Sequence, residues 1–345
     1  MLFTFFQGVA PRQLAFVFPP DWYDHVEDGT LALLVLLHGG NQDVTDFMTD
    51  VVRIFDLLQG HFHVVSGVPT PQKLVAVFPA GLSRDSVIAG QWRAGHIGGD
   101  CDPIGNDDVS FVFACVDLVD QMLLRELKRL KGLTADSVFA PRRRFLTGFS
   151  GGAALVAHVL ARRPGFFRAA AMHSHLFGGY KHAFLNDPLL PALNLENNVP
   201  AQGDPGVSLF HLVGSVDPKV IPENGTTANS GTPLDAKEAS DAYVGSTGVR
   251  PAADYYRLDL SIDDGVEAWG ASVFAYLPAG GWVPFRDSTG RRQGSMRVFT
   301  PGTYADGTSA GVRQVVLRGV GHKWWYVSDE VNATKVFWDW FQLWT

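Results

Sequence analysis

Arg144-Phe145-Leu146-Thr147-Gly148-Phe149-Ser150-Gly151-Gly152-Ala153-Ala154-Leu155-Val156 reads as a strand, a sharp turn and a helix in direct succession. Arg144 to Thr147 has the length and character of a core strand and stops at Gly148. Gly151 to Ala161 is small and apolar, as a central helix packed close to a sheet must be. The turn between them has the pattern G-x-S-x-G. A serine lifted above a sheet on so tight a turn needs glycines on both sides, because flanking side chains would clash. The helix start then places backbone N–H groups beside any negative charge that develops there. The alternative is a plain glycine-rich connection, and the strand–turn–helix context favours a nucleophile.

Working outward, further strands end in the same way. Leu31 to Leu37 is an unbroken apolar run closed by His38-Gly39-Gly40, the mark of a strand buried on both faces. Leu74 to Phe78, Ala169 to Met172, Val207 to Val213 and Val312 to Leu317 are similar. Near the amino terminus Phe3 and Phe5, then a Gln7-Gly8 turn, then Leu14, Phe16 and Phe18 predict an antiparallel hairpin at a sheet edge. Helical spacing runs over Asp46 to Leu58, over Asp108 to Leu130 with Val109, Val112, Val116, Val119, Leu123 and Leu127 on one stripe, and over Val331 to Trp344. Strands alternating with helices predict one α/β domain over 1–345 with a mostly parallel, doubly wound sheet. Ile221 to Gly311 breaks the rhythm with Gly, Thr, Asp and Pro, a helix near Ala242 and a hairpin near Gly280-Gly281. It is expected to be an insertion before the last core strand, part of which covers the site as a lid or side wall; the alternative is a structural flap that extends the sheet with a hairpin.

The composition agrees. The chain has 345 residues, 46% hydrophobic and 18% charged, with a formal charge of −7. That supports a sizeable core, and the mild acidity argues against nucleic acid as a partner. No stretch approaches the ~18 apolar residues of a membrane helix. No basic start precedes the apolar amino terminus, so secretion with the signal outside this sequence and a cytoplasmic location both stay open. Cys101 and Cys115 are too few for a disulfide scaffold, and neither CxxC nor HExxH supplies a local zinc site.

A serine nucleophile needs a base and an orienting acid, in the chain order Ser, acid, His. His322 follows the last core strand in Gly319-Val320-Gly321-His322 and is the candidate base. Asp217 lies in Gly214-Ser215-Val216-Asp217-Pro218 just past the preceding strand, with Asp204 and Asp235 as reserves. His211 falls within a strand and reads as a core histidine; His173 and His175 end a strand and are placed to line a pocket. Gly40 and Gly151 are the expected donors of an oxyanion hole. Trp92 and Trp324, with His175, are candidates for contact with substrate, although tryptophans of this kind also serve as core. Asp107-Asp108 reads as a helix cap, and Asn224-Gly-Thr and Asn332-Ala-Thr match glycosylation acceptors, which carry meaning only in a eukaryotic secretory context.

Leu37-His38-Gly39-Gly40-Asn41-Gln42, Gln91-Trp92, Asn106-Asp107-Asp108-Val109-Ser110-Phe111, the Ser150 motif, Gly214-Ser215-Val216-Asp217 and Gly321-His322-Lys323-Trp324 occur in the order seen in polyhydroxybutyrate depolymerases and feruloyl esterases. The chain resembles that family of α/β-hydrolases over nearly its whole length. The resemblance implies an α/β-hydrolase fold and carboxylic ester hydrolysis, with Ser150, Asp217 and His322 as the triad and Gly40 and Gly151 at the oxyanion. The expected partner is a small-molecule or polymeric ester, and the chemistry calls for no metal or organic cofactor. A serine peptidase or acyltransferase on the same scaffold is the alternative within enzymes, and a non-catalytic binding module the alternative outside them.

Overall fold

The computed structural model describes residues 2–7, 10–81, 89–90, 92, 108–163, 165–174, 208–214, 217, 283–287, 290–303, 309–317, 319–329 and 331–345. Among these residues ten strands form the central sheet: β1 (Leu2–Gln7), β2 (Ala10–Val17), β3 (Ala32–Leu37), β4 (Leu74–Pro79), β5 (Arg144–Phe149), β6 (Ala169–His173), β7 (Ser208–Gly214), β8 (Val283–Arg286), β9 (Arg292–Thr303) and β10 (Ser309–Leu317). Their spatial order is β1-β2-β4-β3-β5-β6-β7-β10-β9-β8. The six from β4 to β10 in that order run parallel, while β1, β2, β9 and β8 join by antiparallel pairing.

Every residue of β3 is buried because helices cover both faces of the sheet. Alternate side chains serve opposite cores. Leu33, Val35 and Leu37 share a core with Trp22 of α1 (Trp22–Glu27) and with α2 (Asp108–Lys131) and α3 (Gly151–Arg162) through Val112, Val116, Val119, Leu155 and Val159. Leu34 and Leu36 share the other core with Phe145, Phe210 and the aromatic face of α4 (Ala333–Gln342). There Phe145 stacks on Phe341 with ring centroids 4.9 Å apart. Among the described residues no helix is long and apolar enough to cross a membrane.

The expected amino-terminal hairpin is present at the sheet edge, with Gln7 opposite Ala10. It is tied to the rest of the molecule by an ion pair between Arg12 and Asp108, both fully buried. The Arg12 guanidinium also lies 3.7 Å over the Phe111 ring. Asp108, read from sequence as a helix cap, is therefore a charged anchor between the hairpin and the first turn of α2.

Three sequence expectations are corrected. The single helix over 46–58 is broken into a turn at Val44–Asp46, a wide π turn at Phe47–Val51 and a helix at Ile54–Leu58. Arg53 causes the break: it adopts a left-handed φ of 53° and ties its guanidinium to Asp56, Tyr326 and Asp329. The last helix begins at Ala333, not Val331, because Asn332 is extended and its side chain accepts the N–H of Lys335. That cap buries Asn332 and removes it as a glycosylation acceptor. Finally, the described part of 283–311 is built onto the central sheet. Strands β8 and β9 extend the central sheet, and β10 starts at Ser309, three residues earlier than the sequence pattern indicates. The Ala242 helix, the Gly280-Gly281 hairpin and all of 218–282, where most of the expected lid or side wall lies, fall outside the described residues.

Candidate active site

Register brings the site together. Along the parallel strands Leu37 is level with Gly148, and His173 with Phe149, so the loops after β3, β5 and β6 leave the same edge. On the far side Gly214 pairs with Leu317, which starts the acid and base loops from a common level. Ligand sites of open α/β sheets form at this carboxyl edge.

Ser150 caps α3 with φ 51° and ψ −117°, a conformation that side-chain-bearing residues rarely adopt. Its neighbours enforce it. A Cβ on Gly148 would come within 2.4 Å of the Gly152 carbonyl oxygen, and one on Gly152 within 2.2 Å of that of Leu37. Both glycines are required because backbone passes backbone there. The Ser150 N–H donates to the His173 carbonyl at 2.9 Å, which fixes the turn against β6.

The Ser150 hydroxyl lies 2.8 Å from His322 Nε2. Both carboxylate oxygens of Asp217 lie 2.9 Å from His322 Nδ1. Asp217 is fully buried and turned back by its own N–H bonding to the Gly214 carbonyl. An ionised carboxylate only accepts, so Nδ1 carries the imidazole proton and Nε2 is free to accept from Ser150. The structure thus joins Ser150, His322 and Asp217 in one hydrogen-bonded chain. Asp204 and Asp235 fall outside the described residues.

Gly40 and Gly151 also come together: a Cβ on Gly151 would lie 3.5 Å from the Gly40 nitrogen. Gly151 is the first residue of α3, so its N–H has no acceptor within the helix. Several bonds hold the Gly40 loop. The Gly39 N–H donates to Gln42 Oε1 at 2.7 Å. His38 Nε2 accepts from the Gly81 N–H at 2.9 Å, leaving its Nδ1–H for the Gly39 carbonyl at 2.6 Å. Burial lowers the His38 pKa to about 4, so this ring stays neutral and keeps that pattern.

The residues expected to touch substrate fare differently. His175 falls outside the described residues. Trp92 and Trp324 take the core role. Trp92 is 2% exposed, and its indole N–H donates to the His38 carbonyl at 2.6 Å. Trp324 is enclosed by Phe47, Phe149, His173 and Phe337, and its N–H donates to Thr334. His173 was expected to line a pocket, but it is fully buried, because its ring lies under the Ser150 turn against Trp324 and Phe149. His211 is buried, as expected of a core histidine. Gln42 is a residue whose role at the site the sequence did not single out. Its only signal was its place in the segment that follows the strand ending at Leu37.

The mostly parallel sheet with helices on both faces and its serine turn between β5 and α3 define an α/β-hydrolase fold. No family model and no curated protein matches the sequence. Among solved structures, an acetyl xylan esterase from Aspergillus awamori is similar over 99% of this chain and 99% of its own, with a TM-score of 0.50 and 12% identity. The esterase PE8 covers 95% and 97% at a TM-score of 0.39 and 14% identity. An S-formylglutathione hydrolase from Staphylococcus aureus covers 63% and 80% at 0.39 and 16%. At such identities the first of these speaks for the fold.

Proposed function

We propose that this chain is a serine hydrolase that cleaves carboxylic esters through an acyl-enzyme intermediate. The observation that carries the reading is the bonded chain from Ser150 through His322 to Asp217 at the carboxyl edge of the sheet. Ser150 Oγ attacks the ester carbonyl carbon while His322 Nε2 takes its proton. Asp217 holds the ring and stabilises the imidazolium. The carbonyl oxygen becomes an oxyanion that receives the N–H groups of Gly40 and Gly151. As the intermediate collapses, the carbon–oxygen bond to the alcohol breaks and His322 gives its proton to the leaving alkoxide. Water, deprotonated by the same nitrogen, then attacks the acyl group on Ser150, and the acid departs as the hydroxyl is restored.

The substrate class follows the motif resemblance toward polyester or feruloyl and other aryl esters. A panel of p-nitrophenyl esters of rising chain length, with methyl ferulate and a polyester film, tests it. Hydrolysis confined to short soluble esters would remove the polymer reading. Ser150→Ala should fold normally and lose several orders of magnitude in kcat on every substrate of the panel. A variant that keeps more than about a tenth of wild-type kcat, a loss under ~1.4 kcal/mol, would overturn the proposal.

A further inference from the structure

We infer that His173 is a positioning residue that locks the Ser150 turn and the His322 loop to each other. The inference rests on reading Ser150 and His322 as nucleophile and base. His173 is the last residue of β6, and it grips both loops with different atoms. Its carbonyl oxygen accepts the Ser150 N–H at 2.9 Å. Its ring Nε2 accepts the N–H of Trp325 at 3.0 Å, three residues beyond His322 and 152 residues from His173 in sequence. An accepting Nε2 has no proton, so Nδ1 carries it and donates to Ser174 Oγ at 2.8 Å.

The ring has no freedom to turn. Trp324 stacks on it at 5.2 Å, and Phe149 meets it edge-on at 5.5 Å. It is fully buried, and burial, with the nearby His322, lowers its pKa to about 3. Burial therefore holds the ring neutral near neutral pH. Protonation would put an Nε2–H against the Trp325 N–H, two donors facing one another. Immediately after the ring, Ser174 takes a left-handed φ of 53° and bonds its N–H to the Leu212 carbonyl.

An apolar side chain could fill the same volume but would strand the buried Trp325 N–H. The loop would move to satisfy that group, and His322 would move with it. Misplacing a catalytic group by about 1 Å is enough to lower turnover about 100-fold.

Three substitutions separate positioning from packing. The amide oxygen of His173→Gln reaches to where Nε2 stands; that of His173→Asn stops near Nδ1; His173→Leu has no acceptor. Hydrolysis of p-nitrophenyl acetate should show kcat about 100-fold lower for Asn and Leu, with KM nearly unchanged, and a Gln variant within about tenfold of wild type. Equal kcat for all three, whether near wild type or equally reduced, would overturn the inference. So would failure of all three to fold, since His173 would then belong to the scaffold alone. Ser150→Ala is measured alongside: hydrolysis that persists there overturns the reading of Ser150 itself, an outcome distinct from any result with His173.

Discussion

Asp217 and His322 stand 105 residues apart in the chain, yet both carboxylate oxygens of Asp217 lie 2.9 Å from the same ring nitrogen of His322. The pair closes across the parallel strands β7 and β10, whose loops leave the sheet at one level. Asp217→Asn keeps the shape of that contact but can present an N–H to Nδ1, which favours the wrong tautomer. The expected result is a fall in kcat of about 10⁴ with KM little changed. Steady-state kinetics on one p-nitrophenyl ester decides it, and an unaltered kcat would take the acid role from Asp217.

Gly152 and Gly40 should respond in opposite ways to the same added methyl. A Cβ on Gly152 meets the backbone oxygen of Leu37 at 2.2 Å, and no side chain there can give way. Gly152→Ala should lose about 3 kcal/mol or more of stability. A Cβ on Gly40 meets nothing within 4 Å. Gly40→Ala should unfold within about 0.5 kcal/mol of wild type while hydrolysing esters more slowly, because the methyl enters the space a substrate carbonyl would use. Urea unfolding of both variants checks the contrast, which fails if Gly40→Ala is the less stable.

The buried ion pair between Arg12 and Asp108 predicts a large penalty for removing one partner alone. Arg12→Met or Asp108→Leu should each destabilise by about 3–5 kcal/mol, since the remaining charge is left buried. The double substitution should recover much of that loss. Additive losses in a double-mutant cycle would contradict the pairing.

Strands buried on both faces and the Ser150 turn were readable from sequence because each depends on residues next to one another. Leu31 to Leu37 is apolar throughout for the same reason that β3 is wholly buried. The Arg12–Asp108 anchor was not readable, because its partners lie 96 residues apart and a lone arginine in a strand looks like surface. The residues of β8 and β9 were not legible as strands because a sheet edge tolerates the Arg, Gln and Ser found at 291–297. The break at Arg53 has no local signal either: its left-handed backbone is stabilised by Tyr326 and Asp329, which arrive from the far end of the chain. His173 looked like a pocket residue because sequence places it at a strand end without showing what lies over it.

Stability should depend on pH through three buried histidines. Burial lowers the pKa of His38 to about 4 and those of His173 and His211 to about 3. In the unfolded chain each would titrate near about 6.5. Below that value the unfolded state binds protons that the folded state refuses, so stability falls as pH falls from about 6.5 toward 4, by at most about 1.4 kcal/mol per pH unit for each histidine. Urea midpoints at pH 7.5, 6 and 5 should decrease in that order. A midpoint constant over this range would show that the three rings are not held neutral.

The most direct test of the whole account is covalent labelling of the folded enzyme with a fluorophosphonate, followed by mass spectrometry of its peptides. In the proposed mechanism the hydroxyl bonded to His322 Nε2 is the one activated for attack, so a single adduct should map to Ser150, and its rate of formation should match the rate at which esterase activity is lost. An adduct on another residue, or full esterase activity with Ser150 modified, would contradict the assignment of Ser150 as nucleophile.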